Sequence, residues 1–352
     1  MQRRVYIIII ILLQLTILGG CMPIPHNVQI VDYGKYMVPL SKLNLSDSRI
    51  ELQINDSYAI DTTVNMQFFD PNIISEYEIQ SKRFTEEEIR LIFNDHSNWE
   101  IIDGSLLSSE DLNEDTYIPF ICEGEHHTIY VNEKRGILTY ASESYEDAAS
   151  DFRKSNKVEI SQIDNRDFTD ASQLANGFIQ KTDCELVSTY SEVYYDDESY
   201  YWCFHYAQAI DGIKIVQDAV GVYNGNAPYL PEVEIILKDN ELYFFSAILM
   251  EKVKSINDYE NIISLDGAIQ IIADKSNLLF ETGRSYMRSN GRVAEGGPIL
   301  AKEVYIAYYP SKLDRSVSRN KLVPIWFFWS GDNIGTDAYF NIKINAVTGE
   351  IL

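Results

Sequence analysis

Positive charge is scarce in this chain. It has 29 lysines and arginines against 53 aspartates and glutamates, a formal net charge of −24. Phosphate backbones are gripped by clustered Lys and Arg, so the balance argues against a nucleic-acid partner. It argues equally against electrostatic docking on anionic lipid. Histidine is rare as well, with 5 in 352 residues, which leaves a histidine-based active site unsupported. The metalloprotease HExxH, a paired CxxC, the GxSxG elbow, a penicillin-type SxxK set, the Walker loop and the dinucleotide fingerprint are all missing. What the chain does have is bulk: 45% hydrophobic and 23% charged residues fill a large core and exclude disorder. At ~100–200 residues per domain the length suggests two or three domains.

No apolar run is long enough to span a bilayer. The longest, Val5 to Leu18, covers 14 residues, short of the ~20 a membrane helix needs. It follows the basic Arg3-Arg4 and precedes Leu18-Gly19-Gly20-Cys21, so residues 1–20 read as a secretory signal peptide. The last four residues resemble the lipobox of bacterial lipoproteins, in which the cysteine, here Cys21, is acylated and becomes the N-terminus. The alternative is a plain signal peptide with a chance cysteine. Acylation by several chains would anchor the protein stably, which a single chain would not. Cleavage removes Arg3 and Arg4, so the mature charge is 27 minus 53, or −26. Residues 21–45 are expected to form a tether, opened by Met22-Pro23-Ile24-Pro25, where two prolines forbid helix.

Three folded segments are expected after it. Residues 46–155 read as an N-terminal α+β domain. Within it, Arg49 to Asn65 alternates as a strand or hairpin with Ile50, Leu52 and Ile54 on one face. Thr85 and Glu88 form a capping box, with Phe84 and Ile89 placed as its hydrophobic staple, predicting a helix to Asn94. Residues 98–116 read as loop, 128–131 and 136–141 as paired strands, and 145–153 as a short helix. Two related units follow, 165–255 and 260–352, each a helix and then an antiparallel meander. The first helix shows Ala171, Leu174, Ala175, Phe178 and Ile179 after the candidate cap Thr169. The second shows Leu265, Ala268, Ile269, Ile272 and Ala273 after Ser264. Asp211-Gly212 and Lys238-Asp239-Asn240 are predicted turns. The fold class is therefore α+β and multidomain, with antiparallel sheets each packed with a helix.

The helix after Ile263-Ser264-Leu265, the strand Leu322-Val323-Pro324-Ile325-Trp326, the terminal Ile344-Asn345-Ala346-Val347-Thr348-Gly349-Glu350-Ile351 and the Asp211-Gly212-Ile213 hairpin are similar to PepSY and YycI-type extracytoplasmic modules. Together with the lipobox, the chain resembles uncharacterised lipoproteins of clostridial Gram-positive bacteria. The resemblance covers residues 165–352 in detail and rests on turn and core residues, so it implies a fold. It also implies an interaction role, because PepSY-type modules are associated with inhibiting or chaperoning peptidases and YycI-type modules with restraining a sensor kinase. It brings no catalytic residue.

Candidate chemistry is thin. With Cys21 lipidated, Cys122, Cys184 and Cys203 remain. Cys184 and Cys203 are a candidate disulfide between helix end and strand, the alternative being that Cys203 is a core thiol. Cys122-Glu123-Gly124-Glu125-His126-His127 gathers metal-ligand types. Adjacent histidines on a strand face opposite ways, however, and a polar turn explains them. Asp196-Asp197-Glu198 and Asp332 to Asp337 lack calcium-loop register and read as hairpin loops. No metal site and no cofactor is expected. The unusual feature is 24 tyrosines, crowded around 190–206. Alternation places Tyr200, Trp202, Phe204 and Tyr206 on one face of a strand and Tyr201, Cys203 and His205 on the other. Tyr194, Tyr195 and Tyr201 are the candidate partner surface, since tyrosine is favoured at interfaces; a seam between domains is the alternative. The sequence thus reads as a non-enzymatic protein lipid-anchored at the outer face of the cytoplasmic membrane, bound there through its N-terminal lipid and to an envelope protein. The alternatives are a lipoprotein capturing a cation, peptide or glycan between domains, or a hydrolase with a site built from distant residues.

Overall fold

The computed structural model describes residues 33–43, 49–55, 58–64, 73–93, 100–103, 120–124, 127–132, 136–142, 155–196, 198–216, 232–275, 299–312, 320–329 and 341–352. The chain divides into Met1–Lys35 and one compact unit, Tyr36–Leu352. In the latter, β1 (Met37–Pro39), β2 (Arg49–Asn55), β3 (Tyr58–Thr63) and β4 (Ile74–Ser81) precede α1 (Glu86–Ile92). Next come β5 (Glu100–Asp103), β6 (Phe120–Gly124), β7 (His127–Asn132), β8 (Ile137–Ala141) and β9 (Asn156–Val158). After α2 (Asn165–Ile179) lie β10 (Leu186–Tyr195), β11 (Tyr200–Ile210), β12 (Ile213–Lys214), β13 (Glu232–Lys238) and β14 (Glu241–Ile248). The chain continues through β15 (Met250–Tyr259) and β16 (Asn261–Ile263) to helix α3 at 265–275. It ends with β17 (Ile299–Ala301), β18 (Glu303–Lys312), β19 (Asn320–Trp329) and β20 (Ile342–Asn345). This is an α+β architecture of mostly antiparallel strands.

Short-range chemistry explains the local elements. The Thr85 hydroxyl accepts from Glu88 N–H while the Glu88 carboxylate accepts from Thr85 N–H, and both staple residues are buried. Helix α1 then stops at Ile92, two residues before the predicted Asn94. Asp211 and Gly212, at φ 51° and 76°, and Asp239 and Asn240, at φ 49° and 70°, make two-residue hairpin turns with both central residues left-handed. The cap of α2 is Asp164, not Thr169: its carboxylate accepts from Arg166 N–H, and the helix starts a turn earlier than the apolar stripe suggested. Thr169 instead donates its hydroxyl back to Asn165 O at 2.7 Å. Ala171 and Ala175 are buried, with Phe168, Phe178 and Ile179 beside them, whereas Leu174 is exposed. In α3, Ser264 does cap, accepting from Gly267 N–H at 3.1 Å. The buried residues there are Ala268 and Ile272, both of the expected stripe, together with Ile271; Leu265 and Ile269 are half-buried and Ala273 is exposed.

The strand pairing departs from the expected domains. A ten-stranded sheet runs β5-β6-β7-β8-β14-β13-β11-β10-β9, with β12 on β11. Its β8–β14 ladder, Ile137↔Ile248 to Ala141↔Phe244, crosses the boundary drawn between 46–155 and 165–255. Strand β4 leaves that segment altogether and lies between β15 and β19 in a five-stranded sheet, β15-β4-β19-β18 with β20 on β19. The N-terminal segment is therefore shared between two sheets. Within the segment read as loop, 100–103 form β5; the helix expected at 145–153 lies outside the described residues. In the β2–β3 hairpin, Leu52 is exposed and the core side is carried by Tyr58, Ile60 and Thr62. Within the segment 21–45 expected as a tether, the described residues 37–40 are part of the fold: Met37–Pro39 pairs with Asn261–Ile263 and Leu40 is 1% exposed.

The two large sheets meet where β14 runs into β15. Leu249, fully buried between them, donates its N–H to Gly136 O at 2.9 Å and accepts from Lys82 N–H at 2.9 Å. Gly136 opens β8 and Lys82 closes β4, so one residue is held by the first sheet on one side and the second on the other. The Gln208 side chain, from β11, makes a matching clamp on the next residue. Its amide N–H donates to Met250 O at 2.6 Å and its oxygen accepts from Met250 N–H at 2.9 Å. Strand β12 adds a second tie through the parallel bridge Ile215↔Tyr308. Gly136 sits at φ 66°, and a Cβ there would collide with the Leu249 carbonyl oxygen. Gly136→Ala is expected to destabilise the chain by about 3 kcal/mol, read as a lower urea midpoint. A change within experimental scatter would show that the junction is not held this way.

Candidate functional site

The tyrosine-rich segment folds as the β10–β11 hairpin. Register pairs Tyr190↔His205, Glu192↔Cys203 and Tyr194↔Tyr201 on one face, and Val193↔Trp202 and Tyr195↔Tyr200 on the other. A bulge between Ser188 and Tyr190 sets this parity. On the helix-covered face, Trp202, Phe204 and Tyr206 pack against Ala171, Ala175 and Phe168, as alternation predicted. Tyr195 and Tyr200 continue that face toward the hairpin tip. Their rings lie 4.7 Å apart, Tyr200 stacks on Trp202 at 5.5 Å, and Tyr200 stays 38% exposed.

The opposite face carries polar as well as aromatic groups. Tyr190, 52% exposed, stacks flat on the buried His205 at 4.0 Å with its ring planes 15° apart. His205 Nε2 lies 3.8 Å from Glu234 on the neighbouring β13. Glu192 accepts from Lys157 at 2.6 Å and from the Tyr194 hydroxyl at 3.1 Å. Burial pushes its pKa up, but these donors prevail and hold it below the usual carboxylate value.

Of the candidate partner surface, Tyr194 and Tyr201 share a face and Tyr195 points the other way, as neighbouring strand residues must. Tyr201 is buried at 4% exposure, under the Lys238 ammonium 5.3 Å above its ring, with its hydroxyl donating to Asp196. It cannot contact a partner without unpacking. Among the described residues, the exposed tyrosines are Tyr190 and Tyr200. Asp196 is occupied by the hairpin loop: it accepts from Ser199 N–H and Glu198 N–H as well as from Tyr201, and those bonds hold its carboxyl below the usual range. Asp196 and Glu198 are thus part of the hairpin connection, and Asp197 lies outside the described residues.

The candidate disulfide is not formed. Cys184 and Cys203 are reduced and lie in different clusters: Cys184 packs against the helix-side core, and Cys203 sits on the opposite face with Tyr201, Ile236 and Phe244. Burial pushes the Cys184 thiol up to about 11, although Lys82 pulls it down. Cys122 and His127 fall on β6 and β7, whose Gly124↔His127 pairing leaves 125 and 126 as the connection. Their side chains, Cys21, and the loop 332–337 lie outside the described residues. Among the described residues, no three of His, Cys, Asp and Glu converge to hold a metal.

Sequence reasoning missed two charged features. Glu76 and Glu78 on β4 are buried, with Lys321 2.6 Å from Glu76 and Lys254 3.3 Å from Glu78, while Asn257 also donates to Glu76. Lys343, from β20, is 5% exposed and rests its ammonium 4.5 Å over the Tyr309 ring. Desolvation lowers its pKa from the ordinary 10.5 to about 8. Only the alternation of β4 signalled the first feature; nothing local signalled the second.

No protein-family model matches the chain, and no curated protein does. Among solved structures, the crystal structure of an uncharacterized protein from Eubacterium rectale is similar, with a TM-score of 0.56 at 14% identity. The similarity covers 92% of this chain and 99% of that one, so the whole fold, and the fold alone, is shared.

Two measurements check this chemistry. Native alkylation at pH 8, read peptide by peptide, should leave Cys184 and Cys203 unmodified and label both in urea; a native 184–203 disulfide would contradict the structure. Lys343→Met should raise stability at pH 7 by about 1–3 kcal/mol, because it removes a buried cation. In the native chain the folded lysine loses its proton near pH 8 while the unfolded one keeps it to about 10.5. The unfolded state thus binds more protons in that window, and stability rises with pH. Urea midpoints between pH 7 and 9.5 should climb in the native chain and stay flatter in Lys343→Met. The upper limit keeps clear of buried tyrosines such as Tyr206, whose pKa burial raises to about 12.

Proposed function

We propose that the chain is a lipid-anchored extracytoplasmic module, non-enzymatic, that binds another envelope protein at the outer face of the cytoplasmic membrane. The observation that carries this reading is that each face of the β10–β11 hairpin bears an exposed, stacked tyrosine, Tyr190 on His205 on one face and Tyr200 on Trp202 on the other, so a partner gripping the hairpin meets both. Aromatic rings held in fixed rotamers on a paired hairpin lose little entropy when a partner covers them, which is what makes tyrosine effective at interfaces. The lipobox at Cys21 supports the location. Two helix-then-meander segments, α2 with β10, β11, β13 and β14, and α3 with β18, β19 and β20, are compatible with the resemblance to PepSY and YycI-type modules.

Crosslinking mass spectrometry on intact cells, with the tagged protein at native level, tests the reading. Reproducible crosslinks to one membrane protein are expected, weakened about tenfold by Tyr190→Ser with Tyr200→Ser, and unaffected in a matched change at exposed Leu52 on another sheet. Absence of any reproducible partner, or crosslinks indifferent to the tyrosines, would overturn it.

A further inference from the structure

We propose that the outer edge of β10, from Leu186 to Glu192, docks an extended, cationic segment of the partner protein as one more strand in line with β9. This deepens the reading above and rests on it, since the edge belongs to the same β10–β11 hairpin. Strand β10 runs from Leu186 to Tyr195, and β11 pairs its inner side along that length. On the outer side β9 reaches only Val193, Tyr194 and Tyr195. The chain leaves β9 after Val158 in a 3-10 turn at Ile160–Gln162, closed by Gln162 N–H on Glu159 O at 2.9 Å. Helix α2 packs further in, over β11 and β13. Among the described residues, no strand pairs with the outer side of 186–192, and Ser188, Thr189 and Tyr190 are exposed.

An open strand edge is a template for another strand, and proteins guard such edges with charge. Two other sheet ends in this chain are guarded in that way. Strand β15 presents the exposed Lys252 and Lys254 and carries two bulges, and β2 presents the exposed Arg49 and Glu51. On β10 the run Leu186-Val187-Ser188-Thr189-Tyr190-Ser191 has neither charge nor proline. At its single bulge the Thr189 hydroxyl turns back to the sheet and donates to His205 O at 2.9 Å. This edge is unguarded.

The surrounding charge selects the occupant. From 182 to 213 the chain has seven carboxylates and no lysine or arginine. Asp183 and Glu185, both exposed, lead into the open edge, and the exposed Glu159 follows β9. Lys157 on β9 is engaged by Glu192 at 2.6 Å. The edge therefore sits in a negative field, which attracts a cationic segment and repels a second copy of this chain, itself at −24. Main-chain hydrogen bonds supply the affinity, and an apolar or aromatic residue beside Tyr190 supplies the register.

The probe is an acetylated heptapeptide, Lys-Val-Lys-Tyr-Lys-Val-Lys, added to the full-length chain in detergent and followed by hydrogen exchange. It should slow exchange in a peptide covering 186–192 about fivefold and leave one covering 252–257 unchanged. A fully N-methylated version keeps every charge and side chain but donates no main-chain hydrogen bond, and it should have no effect. A version with Glu for Lys should fail as well. Ser188→Lys, at an exposed position, gives this edge the kind of charge that guards β15 and should abolish the slowing without lowering the melting temperature. No slowing at 186–192, equal slowing by either control peptide, equal slowing at 252–257, or a Ser188→Lys chain that responds like the native one overturns the docking edge. Slowing by the probe in a chain whose cellular crosslinks ignore Tyr190 and Tyr200 overturns the tyrosine reading and supports the edge. Tyrosine-dependent crosslinks whose purified complex leaves 186–192 unprotected do the reverse.

Discussion

The peptide of Leu249 is the point on which the architecture turns. Strands β14 and β15 are one nearly continuous run, but their ladder partners differ: β8 pairs the first half and β4 the second. Where partners change, a buried backbone group is at risk of going unbonded, at about 1–3 kcal/mol per group. Here the gap is closed from both sides, by Gly136 O and Lys82 N–H. The left-handed backbone of Gly136 is what brings the start of β8 close enough. The N-terminal strands of the two large sheets divide at that crossing. Strands β5 to β8 extend one sheet, and β4 enters the other.

This explains which parts of the fold the sequence made legible. The capping box at Thr85, the turns at Asp211 and Asp239, the stripe of α2 and the paired faces of β11 depend on residues within a few positions of each other, and all can be read locally. The domain boundaries depend on pairings such as Ser81 with Met250, 169 residues apart, for which the local pattern holds no information. Strand β4 reads Ile-Ser-Glu-Tyr-Glu-Ile-Gln-Ser and β15 reads Met-Glu-Lys-Val-Lys-Ser-Ile-Asn-Asp-Tyr. Strand β15 lacks the apolar alternation of a half-buried strand, and the alternation of β4 over Glu76-Tyr77-Glu78-Ile79 does not say that its glutamates are buried beside lysines of its neighbours.

The same division separates the site residues. That Tyr194 and Tyr195 face opposite ways follows from the two-residue period alone. That Tyr201 is buried while Tyr190 and Tyr200 are exposed does not, since it requires knowing that β13 and β14 flank the hairpin and that Lys238 caps the Tyr201 ring. The cysteines make the point again: 19 positions apart in sequence, they fall on opposite sides of one sheet.

Charge is organised on two scales. Overall the chain is strongly acidic, yet its buried carboxylates sit beside lysine: Glu76 with Lys321, Glu78 with Lys254, and the partly buried Glu192 with Lys157. With few cations available, placing them at these sites leaves the acidic excess to the surface, where water screens it. Lys343 is the exception, a cation in an aromatic setting that burial disfavours. A surface so charged resists non-specific association. The exposed, stacked tyrosines of the β10–β11 hairpin, Tyr190 and Tyr200, are uncharged breaks in that surface.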